Sequence, residues 1–306
     1  MSSRHQRLSR FLFLVGATLI ANRELLAGNV LDVQLDLGQT EIRAEDPLFV
    51  RIRFTNSHRD DLFYDAPLTT CVGTVQIEYR RAGEIEFQPL HAADQCQEGC
   101  TFYRGQYQLK AGNSLSTYAV ICRRSTTFPL AKAGEYELRA RPIWKANVAG
   151  ESSLVKLKVR ALETETQRTI ERSGDVIASA LELSSPSTYV PRLEAIEALE
   201  AKLDQGKLKD TLATVSSLSR LRLAKTESER DAAAAKLAVA MKHANAIEQQ
   251  WVAFVMANGF LSDGRLEQAR ERISLLPNDS YERQKLEERF SSQMKQQKSP
   301  PVRKLH

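Results

Sequence analysis

The chain is expected to fold as a two-domain α+β protein, an antiparallel β-sandwich over residues 29–161 followed by an all-α domain over residues 162–291. Three observations carry that expectation. From Val30 the apolar residues recur with period two, Leu31, Val33, Leu35 and Leu37 alternating with Asp32, Gln34 and Asp36, as in a half-buried strand. Near Leu162 the period changes to 3.6, and Ala, Leu, Glu, Lys and Arg replace the β-branched residues. The 306 residues suit two domains of roughly 100–200 residues each.

Residues 1–28 read as an export signal. Arg4, Arg7 and Arg10 precede the apolar run 11–21, which is followed by a polar stretch ending in Leu25-Leu26-Ala27-Gly28. A run of 11 residues is too short to span a bilayer, which takes about 20. Cleavage after Ala21 or Ala27 would leave leucine at the third position upstream, so the cleavage site stays open, as does an uncleaved anchor. The body is then expected outside the cytoplasm, periplasmic or extracellular. Of the formal net charge of +5, residues 1–28 hold +3 and the tail at 292–306 holds +4 through Lys295, Lys298, Arg303 and Lys304, which leaves the body at −2. With the excess outside the folded body, no nucleic-acid partner is expected.

In the β half a second strand places Leu48, Val50, Ile52 and Phe54 on one side and Arg51, Arg53 and Thr55 on the other. Further alternating runs fall at 75–79, 85–87, 107–109, 115–121, 136–143 and 154–159, separated by turns containing Gly, Pro or Asn. Seven or more short strands with no helical period between them argue for an antiparallel sandwich. The segment Ala133-Gly134-Glu135-Tyr136-Glu137-Leu138 resembles the tyrosine corner of immunoglobulin-like domains. The resemblance implies an immunoglobulin-like sandwich with Tyr136 as a fold-stabilising hydrogen-bond donor. Leu138 stands where antibody domains carry a core cysteine, so the usual inter-sheet disulfide is absent.

All four cysteines, Cys71, Cys96, Cys100 and Cys122, lie in the β half, and in an exported chain they imply two disulfides. A hairpin turning near Ala82 brings Cys71 towards Cys96, and one turning at Ala111-Gly112-Asn113 brings Cys100 opposite Cys122. The expected pairs are therefore Cys71 with Cys96 and Cys100 with Cys122, and the other two connectivities remain as rivals. A metal site at Cys96 and Cys100 lacks a second ligand pair at the right spacing, and no metal or cofactor is expected.

The connection 56–67 is the most site-like loop, since loops at sandwich ends carry binding residues. Asp60, Asp61 and Asp65 could ligate calcium, although their spacing matches no EF-hand and solvated turn acids are commoner. Phe63 and Tyr64 could form an aromatic recognition surface, joined by Phe102 and Tyr103 from the cysteine region.

The helical half is expected to hold helices over 164–183, from Pro191 with the stripe Leu193, Ile196, Leu199 and Leu203, and from Leu208 through Leu221 or Leu223. Thr226 and Glu229 have capping-box spacing at the head of an Ala-rich helix that ends near His243, itself expected to be a solvated or capping histidine. A segment dominated by Trp251, Phe254 and Val255 is expected to break at Gly259 and again at Ser262-Asp263, before helices over 265–276 and from Tyr281. Ala257, Phe260, Gly264, Ala269 and Ile273 resemble one degenerate tetratricopeptide unit, which implies a helical-hairpin array; a small bundle fits equally. From 292 the polar, basic chain is expected to be a disordered tail. Taken together, the chain resembles exported bacterial-type proteins in which an immunoglobulin-like sandwich precedes a tetratricopeptide-like module, without matching one family.

An enzyme needs convergent acids, bases or nucleophiles. The sequence has no Gly-x-Ser-x-Gly elbow, His-Glu-x-x-His, phosphate loop or dinucleotide fingerprint. The expected function is that of an exported, non-catalytic binding or scaffold protein, contacting another exported or envelope protein through sandwich-end loops and helical grooves. Membrane contact is expected only through an uncleaved signal or the basic tail. The alternatives are a glycan-binding or adhesion module, a carboxylate-based hydrolase, whose paired acids need no local motif, and a protease inhibitor resting on fold analogy alone.

Overall fold

The computed structural model describes residues 31–64, 66–70, 74–91, 106–123, 128–143, 150–181 and 192–298. The expected export signal at 1–28, Asp65, Cys71, Cys96, Cys100, Phe102 and Tyr103 lie outside them. The strands are β1 (Leu31–Asp36), β2 (Glu41–Arg43), β3 (Leu48–Asn56), β4 (Leu62–Tyr64), β5 (Val75–Arg81), β6 (Gln88–Leu90), β7 (Tyr107–Leu109), β8 (Ser114–Ile121), β9 (Gly134–Pro142) and β10 (Val155–Arg160). They form a three-stranded sheet β1-β3-β8, a five-stranded sheet β2-β10-β9-β5-β6 and a small β4-β7 pair. All pairings are antiparallel except β2 with β10. The inward side chains of the two larger sheets, Leu31, Ile52 and Phe54 from one and Ile77, Leu138 and Leu157 from the other, share one core.

Two strands depart from the expected alternation. The run expected at 85–87 is not a strand: Gly83 (φ 91°) turns the chain, pairing resumes only at β6, and Ile85 is left 88% exposed. The loop 56–67 contains β4, held against β7 in the register Leu62 with Leu109 and Tyr64 with Tyr107.

The helices are α1 (Thr164–Arg172), α2 (Gly174–Leu181), α3 (Leu193–Lys202), α4 (Lys207–Leu223), α5 (Glu227–Ala240), α6 (Ala246–Ser262), α7 (Leu266–Ser274) and α8 (Tyr281–Lys298). The single helix expected over 164–183 is broken at Ser173, just before Gly174, the residue with the poorest helix propensity after proline. Conversely, α6 runs through Gly259 and stops only at Asp263, because one interior glycine costs about 1 kcal/mol and the packed Ala253, Ala257 and Leu261 face offsets it. The expected capping box forms, with Thr226 accepting from Glu229 N and Glu229 accepting from Thr226 N. The disordered tail expected from 292 is corrected: α8 continues to Lys298, since Phe290 and Met294 still pack on the core made by α6 and α7, and the first helix breaker is Pro300.

The two halves share a second core. Phe49 of β3, and Tyr118, Val120 and Cys122 on and beside β8, point away from the sandwich interior and meet Ile177, Leu212, Trp251 and Val252 from the helices. The Phe49 and Trp251 rings lie 5.3 Å apart at 60°. Burying each such large side chain stabilises the joint by about 1.5–3 kcal/mol. Polar contacts fix its orientation. Asp46 Oδ1 accepts from Leu208 N at 3.1 Å, which caps α4 from the β2–β3 turn. The segment before α8 runs along the open edge of β8, where Ser116 N donates to Asp279 O at 2.7 Å and Tyr118 N to Glu282 Oε1 at 3.1 Å. That covers an edge that would otherwise offer free backbone donors to another chain. Among the described residues, no helix is long and apolar enough to cross a membrane.

Candidate functional site

The structure brings together only part of the residues proposed from the 56–67 loop. Asp61 is committed to β7 and the turn that follows it, accepting from Ala111 N at 2.9 Å and from Gln108 Nε2 at 2.6 Å. Asp60 lies by His58, with Oδ2 3.4 Å from Nδ1. No group of three His, Cys, Asp or Glu side chains among the described residues is placed to hold a metal ion. Tyr64 is buried and stacked on Tyr107 with centroids 5.4 Å apart, and burial followed by Tyr107 pushes its hydroxyl up to about 12. Phe63 alone of the pair faces solvent, 56% exposed. The expected aromatic surface is therefore divided: Tyr64 belongs to the core and Phe63 to the surface.

Tyr136 sits where the sequence motif requires. It is 1% exposed, and its hydroxyl lies 2.7 Å from Lys132 O and 3.0 Å from Pro129 O, so one proton is shared between two carbonyls of the preceding corner. Cys122 is buried at the end of β8. Its three potential partners lie outside the described residues, so the structure leaves the pairing untested. His243 ends the short 3-10 turn after α5 and is exposed.

The outer face of the five-stranded sheet carries cross-strand ion pairs on β5 and β9. Cross-strand register sets Arg80 opposite Glu137 and Glu78 opposite Arg139. Arg80 Nε donates to Glu137 at 2.7 Å, Arg139 Nε to Glu78 at 2.8 Å, and Arg141 lies 3.0 Å from Glu78. Phe87 is held between the guanidinium groups of Arg80 and Arg139, 4.5 and 3.9 Å from its centroid. Opposite charges directly across strands stabilise a sheet and leave few unmet groups to offer a ligand.

The helical half is different. Its closest helix pairs are α4 with α5 and α6 with α7, and between them a groove of about 570 Å³ remains open. Its apolar lining comes from Leu237 and Met241 at the end of α5, Val252, Met256 and Phe260 on α6, and Leu275 after α7. Leu275 is 58% exposed, and the α5 surface beside the groove leaves Ala234, Ala235 and Ala238 open, with Val239 75% exposed. Only Ala233 and Ala240 of α5 are buried. Arg230, Arg265 and Arg272 line the same groove, and no acidic residue is among its described lining residues. The available signal was α5 itself, an Ala-rich helix with too few large apolar residues to make a buried stripe of the usual width.

A second cluster lies beneath the sandwich–helix joint. Lys207 opens α4 and pairs with the buried Glu248, while its ammonium lies 5.7 Å from the Phe49 centroid. Burial lowers the Lys207 pKa to about 8, against the opposing pull of Asp210 and Asp46. This cluster is packed between the two cores and serves the joint.

No family model and no curated protein matches the chain. Among solved structures, a β-glucosidase from Erythrobacter marinus is 14% identical over 42% of this chain and 15% of its own length, with a TM-score of 0.25. A β-glucuronidase from Bacteroides uniformis is 10% identical over 74% of this chain and 32% of its own length, with a TM-score of 0.19. The chain thus spans less than a third of either enzyme, and likenesses this slight carry no argument about its fold or its chemistry.

Proposed function

We propose that the protein is an exported, non-catalytic binding scaffold whose working surface is the groove between α5, α6 and α7. The observation that carries this reading is the groove's composition: half-buried and exposed apolar side chains lining an open trough with three arginines, whereas the outer face of the five-stranded sheet carries cross-strand ion pairs. A concave, mostly apolar surface with a few convergent charged groups is the common form of a binding site. Export rests on the sequence of residues 1–28, and the two disulfides remain part of the same reading.

The β half is taken as immunoglobulin-like. What supports this is the strand order of its two main sheets, the parallel β2–β10 pairing at one edge and the hydroxyl of Tyr136 closing on the corner before β9. In this reading the sandwich carries the helical module through their shared core and sets the direction in which the groove faces.

The test is site-specific photocrosslinking in cells, with benzoylphenylalanine in place of Ala238 in the groove or Lys156 on the paired sheet face. Adducts at the groove position alone are expected. Equal yields at the two positions, or none at Ala238, would remove the groove as the working surface.

A further inference from the structure

We infer that the groove between α5, α6 and α7 receives an amphipathic helix of another protein that carries carboxylates beside its apolar stripe, and that Arg230, Arg265 and Arg272 read those carboxylates. This rests on the groove being the working surface and adds the chemistry of what fills it.

The dimensions fit a helix. The lining residues of α5 run from Arg230 to Met241, which at about 1.5 Å per residue is roughly 16 Å, or three helical turns. A helix laid into such a trough presents anchors at i, i+3, i+4 and i+7. The floor suits a partner that must settle into place, because Met241 and Met256 have unbranched, polarizable side chains that adapt to an incoming surface.

The charge selects the kind of helix. None of Arg230, Arg265 and Arg272 makes an ion pair with a described residue. Arg265 rests over the Phe260 ring at 4.7 Å, and Arg272 keeps a buried Nε with no hydrogen-bond partner. Three guanidinium groups without carboxylates, one with a desolvated donor, are poised for bidentate carboxylate contacts. The same charge argues against the chain filling its own groove with either end: residues 1–28 carry +3 and residues 292–306 carry +4. A second copy docked groove to groove would set one arginine rim against the other, and like charges so placed oppose association.

The experiment measures fluorescence anisotropy of the full chain with a labelled, stapled helical peptide of about four turns, bearing leucines at i, i+3, i+4 and i+7 and glutamates beside them. Its twin carries lysines in place of the glutamates, and palmitate serves as a competitor that supplies an apolar carboxylate from a lipid source. The glutamate peptide is expected to bind at least about tenfold more tightly than the lysine twin, with an affinity that falls as salt rises. Arg230→Glu with Arg272→Glu is expected to reverse the order of the twins, and Ala238→Arg to abolish both. Arg230→Glu alone, at an exposed position, is expected to narrow the preference by at least about threefold, and it keeps the test readable should the Arg272 change unfold the chain. Equal binding of the twins, blocked by Ala238→Arg, overturns the acidic partner and leaves the groove as a docking surface. Displacement by palmitate with no binding of either peptide overturns the helix in favour of a lipid. Binding of none of the three overturns both the partner and the groove.

Discussion

Arg123 and Glu45 form a bidentate ion pair sealed from solvent, with Nε 2.8 Å from Oε2 and Nη2 2.5 Å from Oε1, and side-chain exposures of 2% and 0%. Glu45 holds its position from a left-handed backbone, φ 70°, which a non-glycine residue adopts only at some cost. The Glu45 carboxylate raises the Arg123 pKa against the burial that would lower it, so the arginine stays charged. A buried charge that loses its partner costs about 3–5 kcal/mol, whereas removing both charges costs much less. Arg123→Met and Glu45→Gln are each expected to lower the urea midpoint sharply, and the double variant to lose less than the sum of the two. Additive losses in that double-mutant cycle would show that the pair contributes no coupling.

Asp46, the next residue, works across the joint between the sandwich and the helices. Its Oδ1 caps α4 at Leu208 N, and its Oδ2 accepts from Arg43 N and Nε at 3.2 and 3.3 Å. Arg43 in turn donates Nη1 to Gln205 O at 2.7 Å. The residue at the head of α4 is Gly206, with φ 151° and no side-chain cap of its own; a Cβ there would overlap the Arg43 guanidinium at 1.3 Å. Asp46→Ala is expected to cost about 1–2 kcal/mol, to lower the Tm, and to raise hydrogen exchange at the first amides of α4. Unchanged exchange at Leu208 would mean that the Asp46 carboxylate does not protect that amide.

The contrast between what the sequence disclosed and what it hid follows from the reach of each interaction. Alternation in β1, β3 and β9, the capping box at Thr226, the Tyr136 hydroxyl bonding back to the turn before β9 and the change of period near Leu162 are local patterns, and each is present. The joint was hidden because its partners lie far apart, Asp46 and Leu208 by 162 positions and Tyr118 and Glu282 by 164. One sign of it stood in plain view. Leu48-Phe49-Val50 and Tyr118-Ala119-Val120-Ile121 are continuous apolar runs, the pattern of strands buried on both faces. The loop at 56–67 misled for the opposite reason: polar and aromatic residues suggested a ligand, but Asp61 and Tyr64 are satisfied by β7 and its following turn. The groove was missed because periodicity cannot distinguish an apolar face that is covered from one left open.

Tyr136→Phe isolates one hydrogen-bonding atom. The ring stays in the core, while Pro129 O and Lys132 O lose the hydroxyl between them. A buried hydrogen bond contributes about 0.5–1.5 kcal/mol, and orphaned acceptors add to the loss. The expected result is a stability lowered by about 1–2 kcal/mol, read as a lower urea midpoint with an unchanged slope and unchanged strand signals. An unaltered midpoint would reduce the corner to a packing contact.

Lys207 sets the pH dependence of the joint. Its ordinary pKa of 10.5 falls to about 8 in the folded chain, with burial as the main cause. Between those values the unfolded chain binds more protons than the native one, so stability rises with pH from about 8 to about 10.5. Below about pH 8 both states are protonated, and the native state bears the full cost of the buried charge. Opposing this, Glu248 favours the charged lysine through its ion pair. Chemical denaturation across the range decides between them: a rise of up to about 3 kcal/mol, absent in Lys207→Met, is expected where burial dominates. A fall in stability over the same interval would show that the pair with Glu248 outweighs burial and keeps the lysine charged beneath the Phe49 ring.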